Sequence, residues 1–276
     1  MEMPVHDLRS FSIASPRANE EGRVVDGLTL SHQNPLRDNH TITNTGGKNM
    51  TTKTGGPIER MSELLESLGG IPPERVLLRP VPGTATEEDL IAHVERTGRS
   101  CELIDGILVE KPMGFGECLV GAEILRLVGN HLAATNLGAV VGEAAAMRLM
   151  PGLVRAPDVS FIRWEKLPGR KAPRKPVPDL VPDLAVEVLS KSNSKGEMTR
   201  KLREYFFHGV RLAWLVDPVK RTVRVCTPDG NETTLTEADS LEGGDVLPGL
   251  IIPIAPLFAT VPDGPAPRKR RRRSDK

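Results

Sequence analysis

Hydrophobic and polar positions divide the chain into three stretches. From Met1 to about Pro57 the residues are mostly polar or charged (HQNPLRDNHTITNTGGKNMTTKTGGP), and no apolar period repeats. Such a segment buries too little apolar surface to offset its ordering entropy, so residues 1–60 are expected to be a disordered extension. Met61 opens a cleaner stretch (MSELLESLGG) and reads as an alternative translation start. Periodic patterns then fill residues 76–260, expected to form one α/β domain, and residues 261–276 are expected to be a disordered basic tail.

Within the domain the period alternates between two and about 3.6. Thr84 to Asp89 (TATEED) supplies hydroxyls and acids for a helix start, Leu90, Ile91 and Val94 give that helix an apolar face, and Gly98 ends it. CELIDGILVE, residues 101–110, predicts two short strands meeting at Asp105-Gly106. Val120, Ile124, Leu127, Val128 and Leu132 recur at helical spacing over 117–134, and a strand follows from Gly138 through Val141. A short strand around Met147-Arg148-Leu149 runs into a Pro151-Gly152 turn. Asp158 to Ile162 alternates like a half-exposed strand, whereas Leu184 to Leu189 is nearly all apolar, as a central strand would be. The Lys/Arg/Pro-rich stretch between them (EKLPGRKAPRKPVPDLVPD) predicts an exposed loop able to approach a phosphate backbone. A helix over 196–208, a strand over 211–216 and a hairpin across Asp229-Gly230 complete the pattern, with an apolar close at Leu250 to Ile252 and Leu257-Phe258.

Charge changes the picture at one end. The chain carries 37 Lys and Arg against 36 Asp and Glu, a net +1. Residues 263–276, with the run Arg268 to Arg273, contribute +5 of this, which leaves −4 on the rest. The folded part is therefore not generally basic, and phosphate attraction must come from the tail or a local patch. Cys101, Cys118 and Cys226 are far apart with no C-x-x-C pair, so neither a disulfide framework nor a zinc site is indicated. No apolar run approaches the ~20 residues of a membrane span, and a soluble cytoplasmic protein is expected. With six Phe, two Trp and one Tyr, the composition argues against a broad single-strand stacking platform.

The chemical anomaly is Glu187, an acid inside an apolar strand, because an unpaired buried carboxylate is costly. Asp158, just after Arg155-Ala156-Pro157, starts another strand, and adjacency of the two strands would bring both carboxylates to one sheet edge. Two carboxylates with water and phosphate oxygens suit a hard divalent cation, magnesium or manganese. Lys201, on the next helix, is the candidate to reach back and hold developing charge, with Lys191 and Lys195 as competitors. The ordinary readings stand beside these: a buried salt bridge for Glu187, a strand-start turn for Asp158, a solvated helix face for Lys201.

The order of these motifs resembles the Uma two family of restriction endonucleases, a branch of the PD-(D/E)XK nuclease superfamily. The matching residues are CELIDGILVE (101–110), APDVSFI (156–162), PDLAVEVLS (182–190), Lys201 and Tyr205 as K-x-x-x-Y, GVRLAWLVDP (209–218) and DVLPGLIIPIAPLF (245–258). The resemblance implies a restriction-endonuclease-like central mixed sheet flanked by helices. It gives Asp158 the first metal-binding acid and Glu187 the acid of the (D/E)XK element. Two residues after Glu187 stands Leu189 where the superfamily has lysine, so Lys201 is expected to supply the charge. Glu117 or Glu123 is a further candidate acid; Asp183 and Glu102 are weaker ones. The implied function is a magnesium-dependent endonuclease of DNA, with Asp158, Glu187 and Lys201 catalytic and Asp158 and Glu187 the metal ligands. A homodimer follows if both strands of a duplex are cut. The alternatives are a non-catalytic DNA-binding or protein-interaction module on the same fold, and a structural domain with salt-bridged acids.

Overall fold

The computed structural model describes residues 60–111 and 114–259. The polar N-terminal extension before residue 60 and the basic tail lie outside the described residues. Helix α1 (Met61–Ser67) leads to α2 (Glu87–Thr97), then to strands β1 (Cys101–Ile104) and β2 (Ile107–Glu110) and the long α3 (Phe115–Thr135). Strands β3 (Gly138–Gly142), β4 (Met147–Met150), β5 (Leu153–Arg155), β6 (Val159–Arg163) and β7 (Leu184–Val188) follow. Helix α4 (Lys195–Phe207) connects β7 to β8 (Leu212–Asp217). The described fold closes with β9 (Thr222–Cys226), β10 (Glu232–Leu235), β11 (Ser240–Glu242), β12 (Ile251–Pro253) and α5 (Ile254–Ala259).

Two sheets matter for function. The larger has six strands in the order β10-β9-β8-β7-β6-β3, with β7 and β8 parallel and the other neighbours antiparallel. The parallel pair needs a crossover, and α4 supplies it. The smaller sheet has the order β2-β1-β5-β4. Because β5 runs through Ala156-Pro157 into Asp158 and β6, one continuous stretch joins the two sheets.

Period-two alternation assigns the faces of the large sheet. Leu184, Val186 and Val188 of β7, with Leu212, Trp214 and Val216 of β8, pack with Val120, Ile124 and Val128 of α3 and with Leu257 and Phe258 of α5. The opposite parity, Ala213 and Leu215, packs on Met198 and Leu202 of α4, and Ala185 packs on Tyr205 and Val210. Glu187 shares the parity of Ala185 and therefore faces α4.

The sequence pattern fails at β6, where Val159 to Ile162 are all buried instead of half-exposed. Val159 and Phe161 enter the α3 core, while Ser160 pairs in register with Ala185 on the α4 side. Both faces of this strand are covered, so its alternation does not report exposure. The smaller sheet is also richer than the sequence pattern indicates: β5 directly follows the Pro151-Gly152 turn in a stretch given no element, and α1 adds Leu64 and Leu68 to a cluster with Ile104, Ile107, Val109 and Leu153.

Helix ends follow local chemistry. Thr86 caps α2 in a capping box with Asp89, and Gly98 ends it at φ 68. Ser194 caps α4, its hydroxyl accepting from the Glu197 N–H at 2.9 Å and donating to the Gly69 carbonyl at 2.5 Å. A Cβ at Gly196 would collide with that carbonyl oxygen, so glycine is required where the α1–β1 segment presses on the start of α4.

Candidate active site

The strand-borne side chains of the candidate site are placed by the same alternation. On β1, Glu102 has the parity of Ile104; on β2, Lys111 continues the parity of Ile107 and Val109; on β5, Arg155 has the parity of Leu153. Ile104, Ile107, Val109 and Leu153 form one cluster, so the three charged residues extend from one face of the small sheet. Glu187 arrives from β7, and Lys201 and Tyr205 lie one turn apart on the inner stripe of α4.

These groups form a continuous ionic network. Asp158 lies beside the β7 backbone: its N–H donates to the Val186 carbonyl at 2.9 Å, and its Oδ2 accepts the Val188 N–H at 2.6 Å. Lys111 Nζ is 2.7 Å from Asp158 Oδ1 and 3.2 Å from Glu187 Oε2, and it donates to the Ala156 carbonyl at 2.6 Å. Lys201 Nζ is 3.1 Å from both Glu187 oxygens and 3.1 Å from Glu102 Oε1. The Tyr205 hydroxyl donates to Glu187 Oε1 at 2.5 Å. Arg155 closes the network, reaching Glu102 Oε2 at 2.8 Å and pairing with Glu204 of α4.

Burial sets the electrostatics. Asp158 and Glu187 are each 3% exposed and Lys201 is 0% exposed. Burial pushes the Asp158 carboxyl above its ordinary range; Lys111 opposes this and the Glu187 charge adds to it. For Glu187 the same burial acts upward, but Lys111 and Lys201 outweigh it and hold the carboxyl below the usual range. Glu102 is likewise held low, with Lys201, Arg155 and Lys111 overcoming its burial. Tyr205, raised by burial and by Glu187 and Glu102, stays a protonated donor.

The expected trio of Asp158, Glu187 and Lys201 is thus brought together. The solvated-face reading of Lys201 is overturned, since α4 turns that position onto two carboxylates. Lys191 and Lys195 are exposed. The further acids divide differently from the sequence expectation. Glu117 stands half-buried in the first turn of α3, and Glu123 pairs with Arg126 on the same helix. Asp183 accepts the Arg163 N–H at 2.9 Å and pairs with Lys166, at the opposite end of β7. Glu102, ranked as a weaker option, belongs to the network. Lys111 and Arg155 escape sequence reasoning altogether. The only signals for them are two basic residues at strand ends, Glu110-Lys111-Pro112 and Val154-Arg155-Ala156, which resemble ordinary strand stops.

Among the described residues no group of three or more His, Cys, Asp and Glu side chains is arranged to hold a metal ion. The pair Asp158 and Glu187 nevertheless fits a hard cation. Both carboxylates converge on the one ammonium of Lys111. Asp158 Oδ1 is buried and, among the described residues, meets only the Lys111 ammonium, at 2.7 Å. An anionic oxygen facing one exchangeable cation, beside a second carboxylate, matches the one or two carboxylates that magnesium uses together with water.

The fold is that of a restriction-endonuclease-like α/β protein, a mixed sheet flanked by helices. A family described as "Putative restriction endonuclease", Uma2, matches residues 87–255, and the chain belongs to that family. The structure is similar to the crystal structure of a protein described as a "putative nuclease" from Anabaena variabilis ATCC 29413, with a TM-score of 0.54 and 22% identity. The match covers 60% of this chain and 93% of that one. No curated protein matches the chain. Among the described residues no helix is long and apolar enough to cross a membrane.

Proposed function

We propose that this protein is a metal-dependent endonuclease that hydrolyses phosphodiester bonds of DNA, with Asp158 and Glu187 as ligands of Mg2+ or Mn2+ and Lys201 as the charge-stabilising residue. The observation that carries this reading is the convergence of Asp158 and Glu187, from adjacent strands, on a single cation position with Lys201 behind Glu187. Membership of a family described as restriction endonucleases supports the same class of chemistry.

Asp158 and Glu187 would hold the divalent cation, which when bound would supply polarisation of a phosphoryl oxygen and a lowered pKa for a coordinated water. Glu187 is held in position by Lys201 and Tyr205, so its Oε2 is kept toward the Lys111 position without rotamer freedom. Lys201, anchored between Glu187 and Glu102, would keep a fixed positive charge behind Glu187 and act on developing charge through a buried, weakly screened site. Arg155 holds Glu102 in turn, and so positions Lys201 indirectly. The exposed loop residues Lys171, Arg174 and Lys175 are available to follow the phosphate backbone. Residues 76–260 form the catalytic domain in this reading, the basic tail adds non-specific attraction, and a homodimer would present two sites to the two strands.

One observation favours a second reading: as it stands, every carboxylate of the network is paired and nearly inaccessible. A non-catalytic DNA-binding module would keep that closed arrangement permanently. Incubation of the full chain with plasmid DNA separates the two readings. The nuclease cuts with Mg2+ or Mn2+ and not with chelator, and the binding module retards the DNA uncut under both conditions.

A further inference from the structure

Lys111 is the unassigned member of the site. We propose that its ammonium is an internal counter-cation that occupies the metal position between Asp158 and Glu187, and that it leaves when a divalent cation binds. This inference rests on the metal-dependent reading above and adds to it a residue that determines metal affinity.

The oxygens around Lys111 Nζ are two carboxylates and a backbone carbonyl: Asp158 Oδ1 at 2.7 Å, Glu187 Oε2 at 3.2 Å and Ala156 O at 2.6 Å. That is the donor set a hard divalent cation takes, here filled by an ammonium.

Charge balance requires the exchange. Glu102, Asp158, Glu187 and Glu204 are already balanced by Lys111, Lys201, Arg155 and Arg200. A divalent cation entering beside Lys111 would place like charges within a few ångströms in a buried, weakly screened site, so one cation must leave. Lys201 is locked on α4 between Glu187 and Glu102 with its side chain 1% exposed. Arg155 is likewise held, by Glu102 and Glu204. Lys111 stands one residue past the end of β2, on a flexible four-carbon stem whose side chain is 7% exposed, and is the cation with a way out.

Two measurements on the full-length protein test this. Wild-type protein is labelled with an amine-acylating reagent in chelator and in Mn2+, and modification of each lysine is read by mass spectrometry. Lys111 is expected to react about tenfold faster or more in Mn2+, as expected for release from a buried ion pair, while Lys201 stays protected in both. Calorimetric titration with Mn2+ then compares wild type, Lys111→Met and Asp158→Asn. Lys111→Met is expected to bind at least about tenfold more tightly than wild type, because the competing charge is gone, and Asp158→Asn to lose binding. If wild type binds Mn2+ through Asp158 yet Lys111 stays equally shielded, Lys111 is not displaced and the proposal falls, with the metal-dependent reading intact. Equal or weaker binding by Lys111→Met has the same meaning. Absence of Mn2+ binding in both wild type and Lys111→Met overturns both. Should Lys111→Met fail to fold, the labelling of the wild type decides alone.

Discussion

Lys201 of α4 and Glu102 of β1 form a buried ion pair of 3.1 Å that joins the helix of the large sheet to an inner strand of the small one. The same ammonium serves Glu187, so one side chain ties the site to both sheets. Breaking a buried pair strands the remaining charge, which typically costs about 3–5 kcal/mol. Lys201→Met is therefore expected to lose about that much stability by urea unfolding. A loss below about 1 kcal/mol would mean that the network relaxes or admits water readily.

Acid should open the same network. Glu102 and Glu187 sit below their ordinary value of 4.5 in the fold. A lowered folded pKa contributes stability that is present above the unfolded value and is lost as pH falls through it toward the folded one. Asp158, raised above its ordinary 3.8, has the opposite sign and favours the fold at low pH. Two groups against one predict urea midpoints that decline as pH drops below 4.5, with a shallower decline in Glu102→Gln. A profile unchanged by that substitution would contradict the assignment.

The close approach of Gly69 and Gly196 is a packing requirement. Arg75, 3% exposed, forks onto Glu197 at 2.8 and 2.9 Å beside it, so the α1–β1 segment is clamped to the start of α4. Gly196→Ala is expected to destabilise by about 1–3 kcal/mol through overpacking. Limited proteolysis should then cut within residues 60–75 faster than in wild type. Unchanged proteolysis and stability would show that the neighbouring backbone yields.

Much of the fold was legible because its strands and helices obey their periods: the β1–β2 hairpin of the small sheet, the β9–β10 hairpin of the large one, α3 and α4 all fall where the sequence pattern puts them. Asp158 and Glu187 stood out as charge against an apolar background. Lys201 could be nominated from its place on the helix after Glu187, but not separated there from Lys191 and Lys195, since one lysine on a charged helix carries no mark of burial. Glu102, Lys111 and Arg155 were misjudged or missed for a different reason. Their meeting depends on the small sheet docking against α4, a tertiary relationship that no local period encodes. The half-exposed reading of β6 failed similarly, because Ser160 is polar yet covered, with 0% exposure.

The basic tail offers a separable contribution. Residues 263–276 carry seven Lys and Arg on a chain whose remainder is acidic. Their deletion is expected to weaken DNA binding and to flatten its salt dependence by about 0.9 in log–log slope for each phosphate that the tail neutralises. Cleavage at saturating DNA should survive. An unchanged slope would assign phosphate neutralisation to the exposed loop around Lys171 and Arg174.

The central claim is that Asp158 and Glu187 act together in metal-dependent hydrolysis. The most direct measurement is the plasmid cleavage rate in Mg2+ for wild type, Asp158→Asn and Glu187→Gln, each shown to be folded and to bind DNA. The account predicts metal-dependent cleavage by wild type that falls by about 10²–10³ or more in both variants, as for loss of a principal electrostatic element. Cleavage that persists in both variants at the wild-type rate, or is insensitive to chelator, would contradict it.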